Sequence, residues 1–296
     1  MMSGRRSAIR HALAAAAGYG TLPSLVRAAS DLGVPAGESA GARTVGVVVV
    51  LGAMALVGGL TLRVPRRARA AFAGQALATL AISISYLMAV EFIPVGLAVI
   101  IFFTFPVLIT LAAPLVEGHR PAVASLVAAG LAFIGLALAI GLRFEGLDPR
   151  GLALAATAAL GATGQFFTGR LMSRHMAPQQ FGTLVHLLIL PFLVAVALML
   201  HGGGLALPAA PAPALALVVV LSLIYGFAYV MHMRALGEAP ASVVAPFFNL
   251  EPVVGLSIAA LALGERLALV QYLGGALVLA ALVVAARGEE QAEARA

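Results

Sequence analysis

The stretch PVGLAVIIFFTFP, Pro94–Pro106, returns as PASVVAPFFNLEP, Pro240–Pro252. In both, two prolines stand twelve positions apart, and the copies are offset by 146. Carried without gaps from Pro94 to Ile140, that offset gives 12 identities in 47 positions. Leucine and alanine matches carry little weight in so apolar a chain. Pro94/Pro240, Phe102/Phe248, Pro106/Pro252, Gly118/Gly264 and Arg120/Arg266 carry more. An internal repeat of this length organises the whole chain, so it is read before any local motif.

Around these stretches lie apolar runs of membrane-crossing length. A bilayer core about 30 Å thick takes ~20 helical residues. Stretches without Arg, Asp or Glu predict crossings at Thr44–Leu62, Ala70–Val90, Phe92–Val116, Pro121–Leu142, Gly151–Gly169, Met176–Leu200, Ala214–Met233, Ser242–Leu263 and Leu267–Ala286. Ala12–Val26 is short and rich in Ala and Gly, and a signal peptide is the competing reading. The repeat needs it as a retained first crossing. GGGLALPAAPAP, from Gly202, reads as a loop.

The expected fold is therefore an all-α polytopic membrane protein with ten transmembrane helices in two five-helix repeats. The first repeat covers 1–142, the second 143–287, and 288–296 is a cytoplasmic tail. Five is odd, so the second copy enters the bilayer upside down. Inverted repeats of this kind place a binding site near the midplane between the copies.

Composition agrees. Of 296 residues, 62% are hydrophobic and 10% charged, and the mean hydropathy is +1.05. Soluble domains carry about 25% charged residues, so a soluble enzyme, a disordered chain and a nucleic-acid-binding domain are excluded. There is no cysteine, which removes disulfides and thiolate chemistry. The net charge is +6, and all 18 basic residues are arginines. With the N-terminus inside, 13 of the 18 fall on the cytoplasmic side, most tellingly Arg63, Arg66, Arg67 and Arg69. The positive-inside rule then puts both termini in the cytoplasm.

Polar side chains within spans mark protein-facing or water-facing surfaces. Gln75, Thr79, Ser83 and Tyr86 form a stripe on the third span; Ser222, Tyr225, Tyr229 and His232 form one on the eighth. Steps of three and four keep each set on one helical face. The 146 offset pairs Thr79 with Tyr225, Ser83 with Tyr229 and Tyr86 with His232. The stripes suit either hydrogen bonds between packed helices or a polar cavity lined from both repeats. Tyr19 and Gln165 are also 146 apart.

Glu251 sits near the centre of the ninth span, where a carboxylate costs about 2.5–3.5 kcal/mol on insertion scales. Pro252 follows it, freeing the Phe248 carbonyl, and Asn249 precedes it. Glu251 is thus either a protonated acid bonded to that carbonyl, or a cavity group that binds a cation or exchanges a proton for it. The repeat places Phe105 opposite it. His186 is expected to be packed and hydrogen-bonded. Gly161, Gly164, Gly274 and Gly275 read as close helix contacts, and Glu265 with Arg266 as an end cap or ion pair.

YLMAVEFIPVGLAVIIFFTFPVLITL from Tyr86, and the stretch from Tyr229 to Val283 with Pro252, Gly264, Glu265, Gln271 and Gly274, resemble the drug/metabolite transporter superfamily, in its EamA-type members. The resemblance implies ten spans in two inverted repeats, both termini inside, and carrier-type movement of small organic solutes, often export. The first span departs from the pattern by its weakness and lack of tryptophan. So does Glu117, which precedes Gly118 where the second copy has Gly264 before Glu265.

The expectation is a secondary transporter in the cytoplasmic membrane working by alternating access, with proton coupling open. Its substrate cavity is expected at Tyr19, Ser83, Tyr86, Gln165, Tyr225, Tyr229, His232, Asn249 and Glu251. No phosphate loop, metal-spaced cluster or nucleophile motif is present, so no catalytic residue, metal or cofactor is expected. The expected partners are a small-molecule substrate and membrane lipid, without nucleic acid; a homodimer stays open. The alternative is a non-transporting membrane scaffold or partner subunit.

Overall fold

The computed structural model describes residues 2–118, 123–141, 147–200, 211–262 and 268–294. Among them there is no strand. The helices are α1 (Met2–Asp31), α2 (Ala36–Val57), α3 (Arg69–Ala89), α4 (Val95–Phe102), α5 (Phe105–Val116), α6 (Val123–Ile140), α7 (Pro149–Ser173), α8 (Pro178–Leu200), α9 (Pro211–Glu238), α10 (Ala241–Val244), α11 (Leu250–Ala262) and α12 (Leu269–Ala294). Gly264, Glu265 and Arg266 lie outside the described residues, as do Arg120 and 201–210.

Among the described residues, eight segments are long and apolar enough to cross a membrane. α1 and α7 are not among them. Their weak hydropathy has a packing cause: both turn small residues onto other helices instead of lipid. Ala8, Ala12, Ala15 and Ala16 on α1, and Ala155 and Ala158 on α7, are fully buried. α1 packs on α9 and α11, and α7 on α3, α4 and α5. α2 packs on α8, and α6 on α12.

The second crossing differs from the expected Thr44–Leu62. The helix starts at Ala36 and ends at Val57, because Glu38 and Arg43 lie within it and the Gly58–Gly59 pair ends it, Gly59 at φ +68°.

The fourth and ninth crossings are broken. α4 stops at Phe102 and α5 starts at Phe105. α10 passes into a 3-10 segment, Ala245–Asn249, before α11 begins at Leu250. Pro94 and Pro240 cap the first pieces. The breaks overlap in the repeat: the first is Phe103–Thr104, and the second, Ala245–Asn249, ends at the counterpart of Phe103. Pro106 and Pro252 lie in the first turn of the helix that follows each break, where a missing N–H costs nothing.

Helices approach closely where a glycine allows it. A Cβ on Gly135 would stand 2.8 Å from the Gly274 carbonyl oxygen and 2.9 Å from the Val278 nitrogen. On Gly161 it would stand 3.1 Å from the Ala78 oxygen. Gly274 and Gly161 are thus close contacts as expected. Gly164 and Gly275 are not: their nearest neighbours are ordinary contacts, at 3.7 and 4.0 Å.

Candidate functional site: an aromatic cavity at the helix breaks

A cavity of about 120 Å³ lies beside both breaks. Phe102 and Phe105 flank the first break and reach it; Phe248, within the second, and Glu251, just past it, reach it too. Tyr19 on α1, Gln165 and Phe166 on α7, and Tyr225 and His232 on α9 complete most of the wall. Discontinuous helices meeting at one space are the usual construction of a transporter site.

Of the nine residues expected at a cavity, Tyr19, Gln165, Tyr225, His232 and Glu251 line this one. Four stand outside its lining. Ser83 is half-buried on α3, where its neighbour Ile82 takes the lining position. Tyr86 packs its ring on Phe102, centroids 5.4 Å apart. Tyr229 is 1% exposed and sits between Phe181 and His186. Asn249 spends its amide inside the 3-10 segment, donating to the Pro246 carbonyl at 3.0 Å.

The stripes divide between the two readings open to them. Gln75 and Thr79 serve helix packing: the Thr168 hydroxyl donates to Gln75 Oε1 at 2.6 Å, and Gln165 Nε2 donates to Thr79 Oγ1 at 2.9 Å. The Ser222 hydroxyl returns to the Val218 carbonyl at 2.7 Å. Tyr225 and His232, further along the same face of α9, line the space.

Several groups at the wall keep unspent bonding capacity. Both His232 ring nitrogens are buried without a hydrogen bond, while its ring lies between Phe166 and Phe248 at 4.4 and 4.5 Å. The Glu251 side chain makes no hydrogen bond or ion pair among the described residues, so it is not bonded to the Phe248 carbonyl. Its main chain is pressed on α1, since a Cβ on Gly20 would collide with the Glu251 carbonyl oxygen. His186 is packed and bonded: Nδ1–H donates to the Gly182 carbonyl at 2.7 Å, and Nε2 accepts from the Tyr225 hydroxyl at 3.2 Å.

The rings were not legible beforehand, because phenylalanine in a lipid-crossing helix looks alike on every face. The repeat carried the missing signal: Phe102/Phe248 and Phe105/Glu251 are offset pairs, as is Tyr19/Gln165. Arg43 was read as an orientation charge. Its guanidinium instead lies 4.3 Å from the Tyr225 ring centroid, with Nε buried and without a hydrogen bond.

Beyond the cavity, a polar network ties four helix ends together. The Glu117 carboxylate, past the end of α5, accepts from the Ala241 backbone N–H at 2.6 Å and the Ser242 hydroxyl at 2.8 Å. It thereby caps α10. Arg170 Nε lies 3.6 Å from Glu117. The same guanidinium donates to the Leu236 carbonyl at 2.8 Å and to the Ala239 carbonyl, both near the end of α9.

The EamA-like transporter family model matches the chain twice, over residues 6–141 and 149–287. No curated protein matches the chain. A solved crystal structure, described only as that of a protein, superposes with a TM-score of 0.83 at 17% identity. The match covers 95% of this chain and 96% of that one, and at this identity it speaks to the fold alone. The chain belongs to the EamA-like transporter family, and it is a multi-pass membrane transporter of the drug/metabolite type.

Proposed function

We propose that the protein is a secondary carrier built from two inverted five-helix repeats, 1–142 and 143–287, with 288–296 as a tail. α1 and α7 join the eight more apolar crossings to make ten spans. α4 with α5, and α10 with α11, each count as one broken span. Both termini lie in the cytoplasm and the protein resides in the cytoplasmic membrane. It moves a small organic solute by alternating access, in the export direction, with proton exchange at Glu251 as its coupling.

Helix partners support the inversion. α1 packs on α9 as its repeat counterpart α7 packs on α3. α2 and α8 are counterparts and pack on each other, as do α6 and α12. An axis that exchanges the copies produces this pattern. Tyr225 and Tyr229 turn away from the lipid side, which fits an interior chamber.

The observation that carries the reading is the cavity itself. Three offset pairs, Tyr19/Gln165, Phe102/Phe248 and Phe105/Glu251, all face it. The walls thus come from both copies, and rocking one copy against the other would move the opening from side to side.

The test is solute flux into and out of liposomes containing the purified protein, screened with a metabolite panel at two pH values. Flux of a solute above protein-free liposomes is expected, and Glu251→Gln should abolish its pH dependence. A panel that finds no flux with correctly inserted protein would refute the carrier. The chain has no cysteine, so single cysteines at 31 and 69, labelled from one side, report the orientation.

A further inference from the structure

We infer that the cavity takes an organic cation with a compact apolar body, a quaternary alkylammonium head group being the chemistry it fits. This deepens the carrier reading by naming the solute class, and it rests on that reading only for the step of transport.

Among the described lining residues, Glu251 alone carries a formal charge. Its carboxylate has no ion-pair or hydrogen-bond partner among the described residues. An unpaired charge inside a bilayer is costly, and a cationic ligand is the group that offsets it.

The rest of the wall suits a cation with an apolar body. Six aromatic rings, from Tyr19, Phe102, Phe105, Phe166, Tyr225 and Phe248, line the same space as the carboxylate. Aromatic faces attract cations, and cages of such rings recognise quaternary ammonium groups. The Tyr225 hydroxyl directs its proton to His186 Nε2, so it offers the cavity oxygen lone pairs rather than a donor. The Gln165 amide directs its N–H to Thr79.

Arg43 packs against this wall. Its guanidinium lies on the Tyr225 ring at 4.3 Å and is not part of the lining. The contact shows that the wall ring already accepts a delocalised cation on a face. Size agrees as well: the space is about 120 Å³. That is well below the ~300 Å³ at which drug-sized pockets begin, and it matches a small head group.

The experiment uses three isosteric probes on the full-length protein in detergent: choline, its uncharged carbon analogue 3,3-dimethylbutan-1-ol, and the anion 3,3-dimethylbutanoate. Calorimetry should show choline binding at least tenfold tighter than the alcohol, and no binding of the anion. Glu251→Gln should remove that preference by weakening choline far more than the alcohol. Because this variant could fold poorly, Tyr19→Leu and Tyr19→Phe give a second readout. Leu should weaken choline, and Phe, which keeps the ring, should restore it. Equal binding of choline and alcohol, preference for the anion, or an intact cation preference in Glu251→Gln would overturn the inference. Flux assays separate the two proposals: choline binding without any solute flux sinks the carrier alone, whereas flux of other solutes without probe discrimination sinks the cation site alone.

Discussion

Replacing Gly20 with alanine tests whether α1 is a tight wall of the cavity. A Cβ there would stand 2.8 Å from Val254 Cβ and 3.0 Å from Val254 Cγ1, as well as colliding with the Glu251 carbonyl oxygen. Carbon atoms prefer about 3.5–4.0 Å, so α1 must retreat from α11 by roughly 1 Å. Extra methyl groups forced into packed sites cost about 1–3 kcal/mol. At roughly 2–4 °C per kcal/mol for chains of a few hundred residues, Gly20→Ala should melt several degrees below the parent. Gly41→Ala on α2 is the control, because nothing lies within 4 Å of its added Cβ. There alanine is the better helix former, by up to about 1 kcal/mol, and the melting point should hold or rise. Circular dichroism melting in detergent reads both. The retreat also moves Tyr19 away from Tyr225, whose ring centroid is now 5.6 Å from it, so probe binding should weaken in Gly20→Ala alone. A Gly20→Ala variant that melts with the parent, or a Gly41→Ala variant that falls equally, would refute the reasoning.

Other consequences can be checked separately. Glu117→Ala leaves the Ala241 N–H and the Arg170 guanidinium without their partner, a loss of about 3–5 kcal/mol for a largely buried group. Hydrogen exchange should accelerate at Ala241–Val244, and unchanged protection there would contradict the capping role. Gly135→Ala should destabilise the α6–α12 crossing by about 1–3 kcal/mol, while Gly275→Ala should leave melting unchanged. Asp148 caps α7, accepting from the Arg150 backbone N–H at 2.8 Å. Hydrogen bonds from the Arg150 side chain and backbone hold its carboxyl below the usual aspartate range. Its contribution is therefore present above about pH 3.9 and fades as pH falls through the lower, folded value. Exchange at the start of α7 should quicken only below the ordinary aspartate titration, and a loss of protection near pH 5 would contradict this.

Much of the architecture was legible because lipid leaves few options for a backbone. Length and apolarity found the crossings, and the 146 offset found the repeat. What failed was the use of charge as a boundary. Arg43 has apolar sequence after it and so looks like the edge of a span, yet it lies in the second turn of α2. Its long side chain reaches an aromatic face, a contact that sequence spacing cannot reveal. Glu251 was legible for the opposite reason: it stands amid apolar residues on both sides. Ser83 and Tyr229 lie on the expected faces, but a face fixes direction without fixing which residue meets the open space. Asn249 had a local use within its own 3-10 segment, as asparagine often does near a break in helical structure.

The two copies share a backbone plan but not its chemistry, and the difference is concentrated where a carrier needs it. Counting by 146, Glu251 stands opposite Phe105, so one copy supplies the charge and the other a ring. Arg170 stands opposite Ser24, Glu117 opposite Leu263, and Ser242 opposite Gly96. The network that ties α5, α7, α9 and α10 together therefore has no counterpart built from the same positions at the other end. In an inverted repeat with identical copies, the two openings would be equal in free energy by symmetry. Here a capped helix end and an ion pair, held by Glu117 at 7% side-chain exposure, favour closure of the end that carries them. Under the proposed topology that is the cytoplasmic end, so the conformer with this network intact admits solute from the outer side. Inward opening must then break it, so in the proposed export cycle the network re-forms after solute binds from the inside and biases the loaded carrier toward its outward-open state.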